Sequence, residues 1–520
     1  MSYGASNTGA NTGIDPLRAS LCAQKTKNNI RGWYFYSFSS EPFAVSAVAT
    51  YIPLLLEQFA RMNGVLVDDH SISCSESHEK CVLGLFDNRV FIDTSSFALY
   101  TFSASVLFQT ILVITVSGLA DIWKSVRFKS KVLIFFGVFG SLSLILISQL
   151  NSNQYYSLAL LCITANTCYG VVNVVGNSLL PSFVSDLIKY DSSQMNKDVD
   201  SLTSIISGCG ASIGYSSALF VQVATMWLIK RSKSQDNIQL GAMFVGLWWV
   251  AWQTPIFWLL ADVETPSLIV EASSDVDDFS QSLFKWEYMR YGWTSIFEAI
   301  KHARLLKDVV IFLIGWFIIS DSLTTINSTA ILFSKTELKM STLQLIVISI
   351  LTMVNAIIGA YFIPHFIAQR FNWSAKNTLL YIICWASVIP LYGMLGFFFN
   401  SFGLKHQFEM YIMAFWYGIS LGGLSAVSRS LFSLIIPKGR ESTFFSLFSI
   451  TDKGSSIVGP VLVGFLTDRT HNIRYSFYLL FFLLVLSLPV LNTLNISRAK
   501  VEAQELSRVE TDVQILQNSH

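Results

Sequence analysis

An acidic residue followed by a proline interrupts the first long apolar run of this chain. The run extends from Trp33 to Phe59, long enough to cross a bilayer as a helix, and Glu41 and Pro42 lie well inside it. An ionisable group at that depth is costly in lipid, so Glu41 is expected to face a protein interior or an aqueous cavity. Pro42 removes a backbone donor and should bend the helix, leaving upstream carbonyls that such a cavity could use. The pattern predicts a helix that lines a pathway.

Eleven more apolar runs follow, so the fold class predicted is an all-α membrane protein with twelve transmembrane helices. Of 520 residues, 52% are hydrophobic and 13% charged, against about 25% charged in soluble domains. The net charge of +1 gives no reason to expect a nucleic-acid partner. The predicted spans are Trp33–Phe59, Ser95–Leu119, Val132–Leu150, Tyr156–Leu180, Leu202–Ile229, Leu240–Leu260, Val309–Phe333, Leu343–Ala368, Asn377–Phe399, Phe408–Ile436, Thr443–Leu466 and Tyr475–Leu494.

The spans divide the chain into two six-helix bundles, 31–260 and 309–495. Residues 1–30 are polar and are predicted to be disordered, 261–308 form a linker with a surface amphipathic helix, and 496–520 form a charged tail. That helix is predicted from the helical spacing of Trp286, Met289, Trp293, Phe297 and Ile300. Lys and Arg are concentrated in the loops on the side of the termini, which predicts that both termini are cytoplasmic.

A weak internal repeat relates the two halves. Gly210 and Gly214 of span 5, with the serine between them, match Gly454 and Gly459 of span 11, and the segment around Glu41 can be laid on the segment around Asp321. Two parallel six-span halves around a central cavity are the major facilitator arrangement, with the substrate near the midplane where the halves meet.

Charges inside the spans are the candidates for chemistry. Glu41 and Asp321 could bind an ammonium group or exchange a proton, whereas Arg429 and Lys453 could hold a carboxylate. The alternative is that Asp452, Lys453 and Arg429 neutralise one another and only hold helices together. The amides Asn173, Asn177 and Asn355 could contact substrate or bond helix to helix.

Two further motifs have competing explanations. Residues 210–214 fit the Gly-x-Ser-x-Gly pattern of hydrolases, but they lie inside an apolar helix, where the same glycines favour close helix packing, so no enzyme and no catalytic residue is predicted. The loop with His70, Cys74, His78 and Cys81 could bind zinc or stay unpaired, but a disulfide between Cys74 and Cys81 is the favoured interpretation. No metal or cofactor is predicted.

Long stretches of the sequence resemble a known family, the fungal autophagy-related vacuole effluxers, a branch of the major facilitator superfamily. The resemblance runs from about Asn28 to Leu494 and is carried by NNIRGWYFYSFSSEPFAVSAVATYIP, NVVGNSLLP, HARLLKDVVIFLIGWFIISDSLTTINSTAILF, SRSLFSLIIP and TDKGSSIVGP. It implies a multi-pass vacuolar protein that releases amino acids, leucine among them, from lumen to cytosol after autophagic breakdown. We expect the protein to be a monomer, with the bilayer, small amino acids and protons as partners.

The chain departs from the family and superfamily patterns at two places. Family members commonly carry a basic residue before the first span-5 glycine, where this chain has Cys209, the counterpart of Lys453. The loop after span 2 keeps Asp121 but lacks the regular glycine spacing of the superfamily motif, so gating by Asp121 is a hypothesis. Pro42, Asp452 and Pro460 are predicted to act in helix packing or gating together with the repeat glycines. The rival functions are transport of another small solute, such as a sugar, or a membrane-bound lipase or scaffold in autophagic body breakdown.

Overall fold

In the computed structural model the chain forms long helices that run back and forth between two faces. The structure describes residues 16–518 except 67–72, 75–80, 87–88, 124, 192, 195–197, 232–236, 264–289, 291, 298–305, 457 and 471. Eleven helices in this part of the chain are long and apolar enough to cross a membrane. In the first half these are span 1 (Pro16–Pro42, π-helical Phe43–Tyr51 and Ile52–Met62), span 2 (Thr94–Trp123), span 3 (Val126–Ile147), span 4 (Tyr155–Asn177, continuing as Leu180–Tyr190), span 5 (Val199–Arg231) and span 6 (Asn237–Leu259).

The second half repeats this pattern with one interruption. It contains span 7 (Lys307–Thr336), span 8 (Thr342–Phe362, π-helical Ile363–Ile367 and Ala368–Arg370), span 9 (Ala375–Leu395), span 10 (Gln407–Ile435), span 11 (Glu441–Ser455 and Val458–Thr470) and span 12 (a 3-10 turn Ile473–Tyr475, then Ser476–Asn492). Span 11 is the missing twelfth crossing, because neither of its two pieces is long enough alone. A tail helix, Ile496–Asn518, follows span 12.

Proline explains why span 1 changes helix type. Pro42 has no N–H, so the Phe38 carbonyl one turn earlier loses its regular donor, and the chain continues as a π-helix from Phe43. The indole N–H of Trp248 in span 6 donates to this Phe38 carbonyl at 3.1 Å. The Phe38 carbonyl, which was expected to face a cavity, is therefore bonded to Trp248 and links span 1 to span 6.

The segment 16–30 corrects one expectation. Residues from Pro16 onward are helical, although 1–30 had been predicted to be disordered; residues 1–15 lie outside the described part. Asn29 is fully buried and exchanges two hydrogen bonds of 2.9 Å with the backbone of Ala261, and Lys27 forms an ion pair of 2.9 Å with Asp191. The polar side chains that suggested disorder find partners on the first bundle.

A small sheet covers one face of the first bundle. Its antiparallel strands are β1 (Val65–Leu66), β2 (Cys81–Leu85) and β3 (Val90–Asp93), and a disulfide joins Cys74 to Cys81 at the start of β2. His70 and His78, the other residues of the zinc alternative, lie outside the described residues. The first and last described helices, Pro16–Pro42 and Ile496–Asn518, begin at the opposite face, which we call the terminal face.

Little of the linker is described. Residues 292–297 form a helical turn in which Trp293 donates to the Thr115 hydroxyl of span 2 at 3.2 Å, and Ser295 lies 3.4 Å from Thr443 of span 11. Trp286, Met289 and Ile300 of the predicted amphipathic helix lie outside the described residues. The described turn contacts both halves at the terminal face.

Candidate functional site

Three charged side chains from both halves meet inside the membrane. Glu41 of span 1 interacts electrostatically with Arg429 of span 10 and Lys453 of span 11. Glu41 packs its methylenes against Gly214 of span 5, where an added Cβ would lie 3.2 Å from its Cβ and Cγ. Within the described chain, none of the three charges has an oppositely charged side chain within 4.0 Å. The charges are gathered without being neutralised by direct ion pairs.

Aromatic side chains surround this charged cluster, which consists of Glu41, Arg429 and Lys453. The guanidinium of Arg429 lies 5.7 Å from the ring of Trp33, whose indole N–H donates to the Gly176 carbonyl at 2.8 Å. Tyr36, Tyr169 and Tyr215 each interact electrostatically with both Glu41 and Arg429. The cluster therefore has aromatic walls contributed mainly by the first half.

The span-4 amides lie beside these rings. Tyr36 donates to the Asn173 carbonyl at 3.2 Å, and the Asn173 side chain accepts from the Asn177 amide at 3.0 Å and lies 3.5 Å from the Tyr169 hydroxyl. Asn177 is buried, and its side-chain oxygen has no hydrogen-bond partner in the described structure. Two of the three predicted amides are thus placed next to the charged cluster.

Sequence reasoning missed the tyrosines, although a signal for one of them was present. Tyr169, Asn173 and Asn177 recur at every fourth residue, which puts them on one face of span 4. Tyr36 and Tyr215 have no such local signal, since their proximity to Glu41 depends on how spans 1 and 5 pack.

Asp321 and Asn355 have other partners. Asp321 is 3% exposed, and it accepts a hydrogen bond of 2.8 Å from the Gly459 N–H at the start of the second piece of span 11. Asn355 donates to the Leu351 carbonyl of its own helix at 2.7 Å and packs against Gly418. Glu41 interacts with Arg429 and Lys453, whereas Asp321 bonds to Gly459, so the two acids that the repeat aligns have different partners.

Asp121 joins the halves at the terminal face. Its two carboxylate oxygens accept from the backbone N–H groups of Ser442 and Thr443 at 2.8 and 2.7 Å, in the first turn of span 11. A carboxylate at a helix start is stabilised by the unpaired N–H groups and by the helix dipole. Asp121, a predicted gating residue, therefore holds span 2 against span 11.

Further hydrogen bonds between the halves lie between this level and the middle of the membrane. Ser178 of span 4 bonds to Ser442 at 3.0 Å, and span 5 contributes Ser204 to Ser430 at 2.8 Å and Ser207 to the Ala426 carbonyl at 2.7 Å. Halfway along span 5, Ser212 donates to the Ile357 carbonyl of span 8 at 3.4 Å. No described residue of span 5 beyond Ser212 forms a hydrogen bond to the second half. Among the described residues, span 5 is therefore bonded to the second half from the terminal face down to the level of the charged cluster.

The tail helix also bridges the halves. Lys500 contacts Asp200 at the start of span 5 at 2.5 Å, while Arg498 donates twice to Asp308 of span 7, at 2.7 and 2.8 Å. Ala499 and Ala503 are buried on the same helix. Opening of the terminal face requires the Lys500 contact to break or the tail to move.

The predicted packing residues divide between the two repeat helices. An added Cβ at Gly210 would collide with the ring of Trp33, and Gly214 lies against Glu41, so these glycines let span 5 approach span 1. Asp452 accepts from the Ser320 hydroxyl at 2.7 Å. Ser212 donates to the Gly208 carbonyl of its own helix at 2.8 Å. Gly454, Gly459 and Pro460 lie around the interruption of span 11.

Comparisons with known proteins agree with this architecture. A sequence model described as "Vacuole effluxer Atg22 like" matches residues 25–504. The chain is 61% identical to Autophagy-related protein 22 of Vanderwaltozyma polyspora, with 98% of this chain and 99% of that protein covered. It is also 61% identical to the protein of that name from Saccharomyces cerevisiae strain S288c, with 98% of each chain covered.

Solved structures show the same fold at low identity. A bacterial homologue of the iron transporter ferroportin in an outward-facing state has a TM-score of 0.56 at 13% identity, covering 90% of this chain and 98% of that one. The human organic anion transporter MFSD10 has a TM-score of 0.57 at 10% identity, covering 90% and 99%. A proton:xylose symporter of the major facilitator superfamily has a TM-score of 0.52 at 12% identity, covering 91% and 95%.

The family match covers nearly the whole chain, and the helices have the major facilitator arrangement, with the twelfth crossing interrupted. The predicted fold class is confirmed, and so is the expectation that the protein is a transporter and not an enzyme. The chain belongs to the vacuole effluxer Atg22-like family and is a multi-pass transporter of the vacuolar membrane.

Proposed function

We propose that this transporter exports amino acids, leucine and other neutral amino acids among them, from the vacuolar lumen to the cytosol after autophagic degradation. The observation that carries the proposal is the charged cluster of Glu41, Arg429 and Lys453, which lack direct ion pairs in the described chain. Unpaired charges in a membrane interior are costly unless water or a ligand compensates them. A zwitterion supplies both compensating charges.

Each group has a role in this proposal. Glu41 binds the substrate ammonium group, and Arg429 or Lys453 binds its carboxylate. The rings of Trp33, Tyr36 and Tyr169 offer apolar surface to an aliphatic side chain. Both halves contribute to the cluster, so one chain completes the site and a monomer suffices.

The bonding between the halves supports an alternating mechanism. In this proposal the termini and the terminal face are cytosolic, so the bonds between the halves seal the site from the cytosol. Substrate binds from the lumen, and release requires loss of the Asp121 contacts to span 11 and of the Ser204 and Ser207 contacts to span 10.

Proton coupling is proposed at Glu41. The Glu41 carboxylate accepts no hydrogen bond from a described residue, whereas Asp321 accepts one from the Gly459 N–H. Uptake of a proton from an acidic lumen would neutralise Glu41, and its loss on the cytosolic side would complete the cycle.

Efflux of radioactive leucine from liposomes that contain the purified full-length protein tests these proposals. Glu41→Gln should lower leucine efflux by about tenfold or more and remove its pH dependence, since loss of one ionic contact of about 1.4 kcal/mol corresponds to tenfold. Glu57→Gln is the matched control, because Glu57 lies in the same span outside the cluster. Full, pH-dependent efflux by Glu41→Gln would contradict the site and its coupling, and glucose transport without leucine transport would favour the sugar alternative.

A further inference from the structure

A column of oxygen-bearing side chains follows one face of span 7 where it meets the interruption of span 11. Asp321, Thr325 and Thr329 are spaced four residues apart, so they lie one above the other on the helix. Thr325 is fully buried and Thr329 is 2% exposed, and neither hydroxyl has a hydrogen-bond partner in the described structure. Buried hydroxyls in a membrane protein normally bond to their own helix, so two successive unpartnered hydroxyls indicate another kind of partner.

The acid at one end of this column has no basic side chain beside it among the described residues. Asp321 is almost fully buried, and one oxygen accepts the Gly459 N–H at 2.8 Å. Among the described residues, no basic side chain lies within 4.0 Å of Asp321. The start of the second helical piece of span 11 supplies only a partial positive charge. An ionised Asp321 would need a full positive charge to balance it, from a proton or from a metal cation.

The same point of span 11 meets both the acid and the hydroxyl. A Cβ added to Gly459 would collide with the Thr325 hydroxyl oxygen and would lie 2.9 and 3.0 Å from the two Asp321 oxygens. Carboxylate and hydroxyl therefore converge on the Gly459 backbone.

Two backbone carbonyls at the interruption lose their regular donors. The Gly459 N–H, which would bond to the Ser455 carbonyl in a continuous helix, bonds to Asp321 instead. Pro460 has no N–H for the Ser456 carbonyl. Unwound carbonyls and the carboxyl end of a half-helix are the groups that coordinate sodium in secondary transporters.

We propose that Asp321, Thr325 and the carbonyls of Ser455 and Ser456 bind a monovalent metal cation with the chemistry of Na⁺. A proton would neutralise Asp321 but would supply no partner to the buried Thr325 hydroxyl. A bound cation would tie the two pieces of span 11 to span 7, so its occupancy would bias the shape of the helix that also carries Lys453. Coupling to transport rests on the function proposed above, whereas binding itself does not.

Thermal unfolding of the purified full-length protein tests binding without any transport assay. Replacement of choline chloride by sodium chloride at constant pH and ionic strength should raise the melting temperature of the wild type saturably, by a few degrees. Asp321→Asn removes the charge but keeps an oxygen that accepts the Gly459 N–H, and Thr325→Val keeps the shape but removes the hydroxyl. Both variants should lose most of the sodium response.

Thr101→Val is the matched control, because Thr101 is also a buried membrane threonine but bonds to the Phe97 carbonyl of its own helix at 2.8 Å. This variant should keep the full response to sodium. The proposal is overturned if the wild type does not respond to sodium, if it responds only to a change of pH in choline, or if Asp321→Asn and Thr325→Val respond as the control does. Absence of leucine transport alongside an intact sodium response would overturn only the proposed substrate.

Discussion

Spans 5 and 11 share a glycine and serine pattern, but they differ in continuity and in what their glycines contact. Span 5 is one helix of 33 residues, whereas span 11 consists of pieces of 15 and 13 residues. The ring of Trp33 fills the space beside Gly210, whereas no described atom lies within 4 Å of the position that a Cβ would take at Gly454. The glycines serve close packing in the first half and adjoin an interrupted helix in the second.

The cause of the difference lies just beyond the matched glycines. The match of Gly214 with Gly459 places Tyr215 opposite Pro460, and only the tyrosine has the N–H that continues a helix. Asp321 takes the Gly459 N–H as well. Related sequences thus form a continuous, closely packed helix in the first half and an interrupted helix in the second half.

The largest effect is expected where span 11 begins. The Asp121 carboxylate accepts two backbone hydrogen bonds, whereas the side chain in Asp121→Asn can accept only through one oxygen. Loss of the charged hydrogen bonds should weaken the contact between the halves by about 3 kcal/mol. The terminal face should open more often. In a variant whose only free cysteine is Cys209, a membrane-impermeant thiol reagent should label Cys209 faster from that face, because Cys209 lies 3.5 Å from His365 across the bonded halves.

Asp191→Asn is the control for this experiment, since Asp191 lies at the terminal face but pairs within the first half, with Lys27. Unchanged labelling of Cys209 in Asp121→Asn would mean that Asp121 does not hold the halves together.

The glycines of the two repeat helices provide the next test. The methyl group added in Gly210→Ala would collide with the ring of Trp33, and we expect it to lower the free energy of unfolding by about 1–3 kcal/mol. Gly454→Ala meets open space and should be neutral or stabilising by up to about 1 kcal/mol, because alanine favours a helix more than glycine does. Thermal unfolding of both proteins in the same detergent compares them directly, and equal losses would contradict the difference between the spans.

Pro460→Ala should make span 11 more like span 5. It restores the N–H that the Ser456 carbonyl lacks, so we expect a gain of about 1 kcal/mol in stability from one new hydrogen bond, together with slower leucine transport. Melting temperature and transport rate in liposomes measure the two effects. Pro489→Ala in span 12 is the control for proline removal, and transport at the wild-type rate by Pro460→Ala would show that the interruption is not used.

The smallest effect is expected where span 5 begins. Lys500→Ala removes a partly exposed ion pair with Asp200, worth about 0.2–1 kcal/mol. Labelling of Cys209 should rise slightly, and the rise should vanish at high salt, which screens the pair in the wild type as well. Exchange of the two charges in Lys500→Asp with Asp200→Lys should restore the wild-type rate; a double variant as fast as the single one would rule out the pair as a contact between the halves.

The charged residues of the candidate site could be predicted from the sequence, because charges inside apolar runs are rare and burying one in lipid is costly wherever it occurs. Glu41, Arg429 and Lys453 stand out in apolar runs, and the structure brings all three together. The repeat aligns Glu41 with Asp321, but it did not predict that the two acids have different contacts. An alignment does not show which backbone N–H groups are left without partners. Asp321 is next to one such group, at Gly459.

The order of the apolar runs and the family are contained in the sequence itself, because hydrophobic length acts along the chain. The distribution of Lys and Arg predicts the side of the termini. The partners of each polar group are decided by the tertiary structure. Trp248 donates to the Phe38 carbonyl that Pro42 leaves without a donor, and Asp121 accepts from the Ser442 N–H at the start of span 11. These partners are about two and three hundred residues apart in sequence. A buried polar group must find a partner in three dimensions, and only the packed helices determine which one lies within reach.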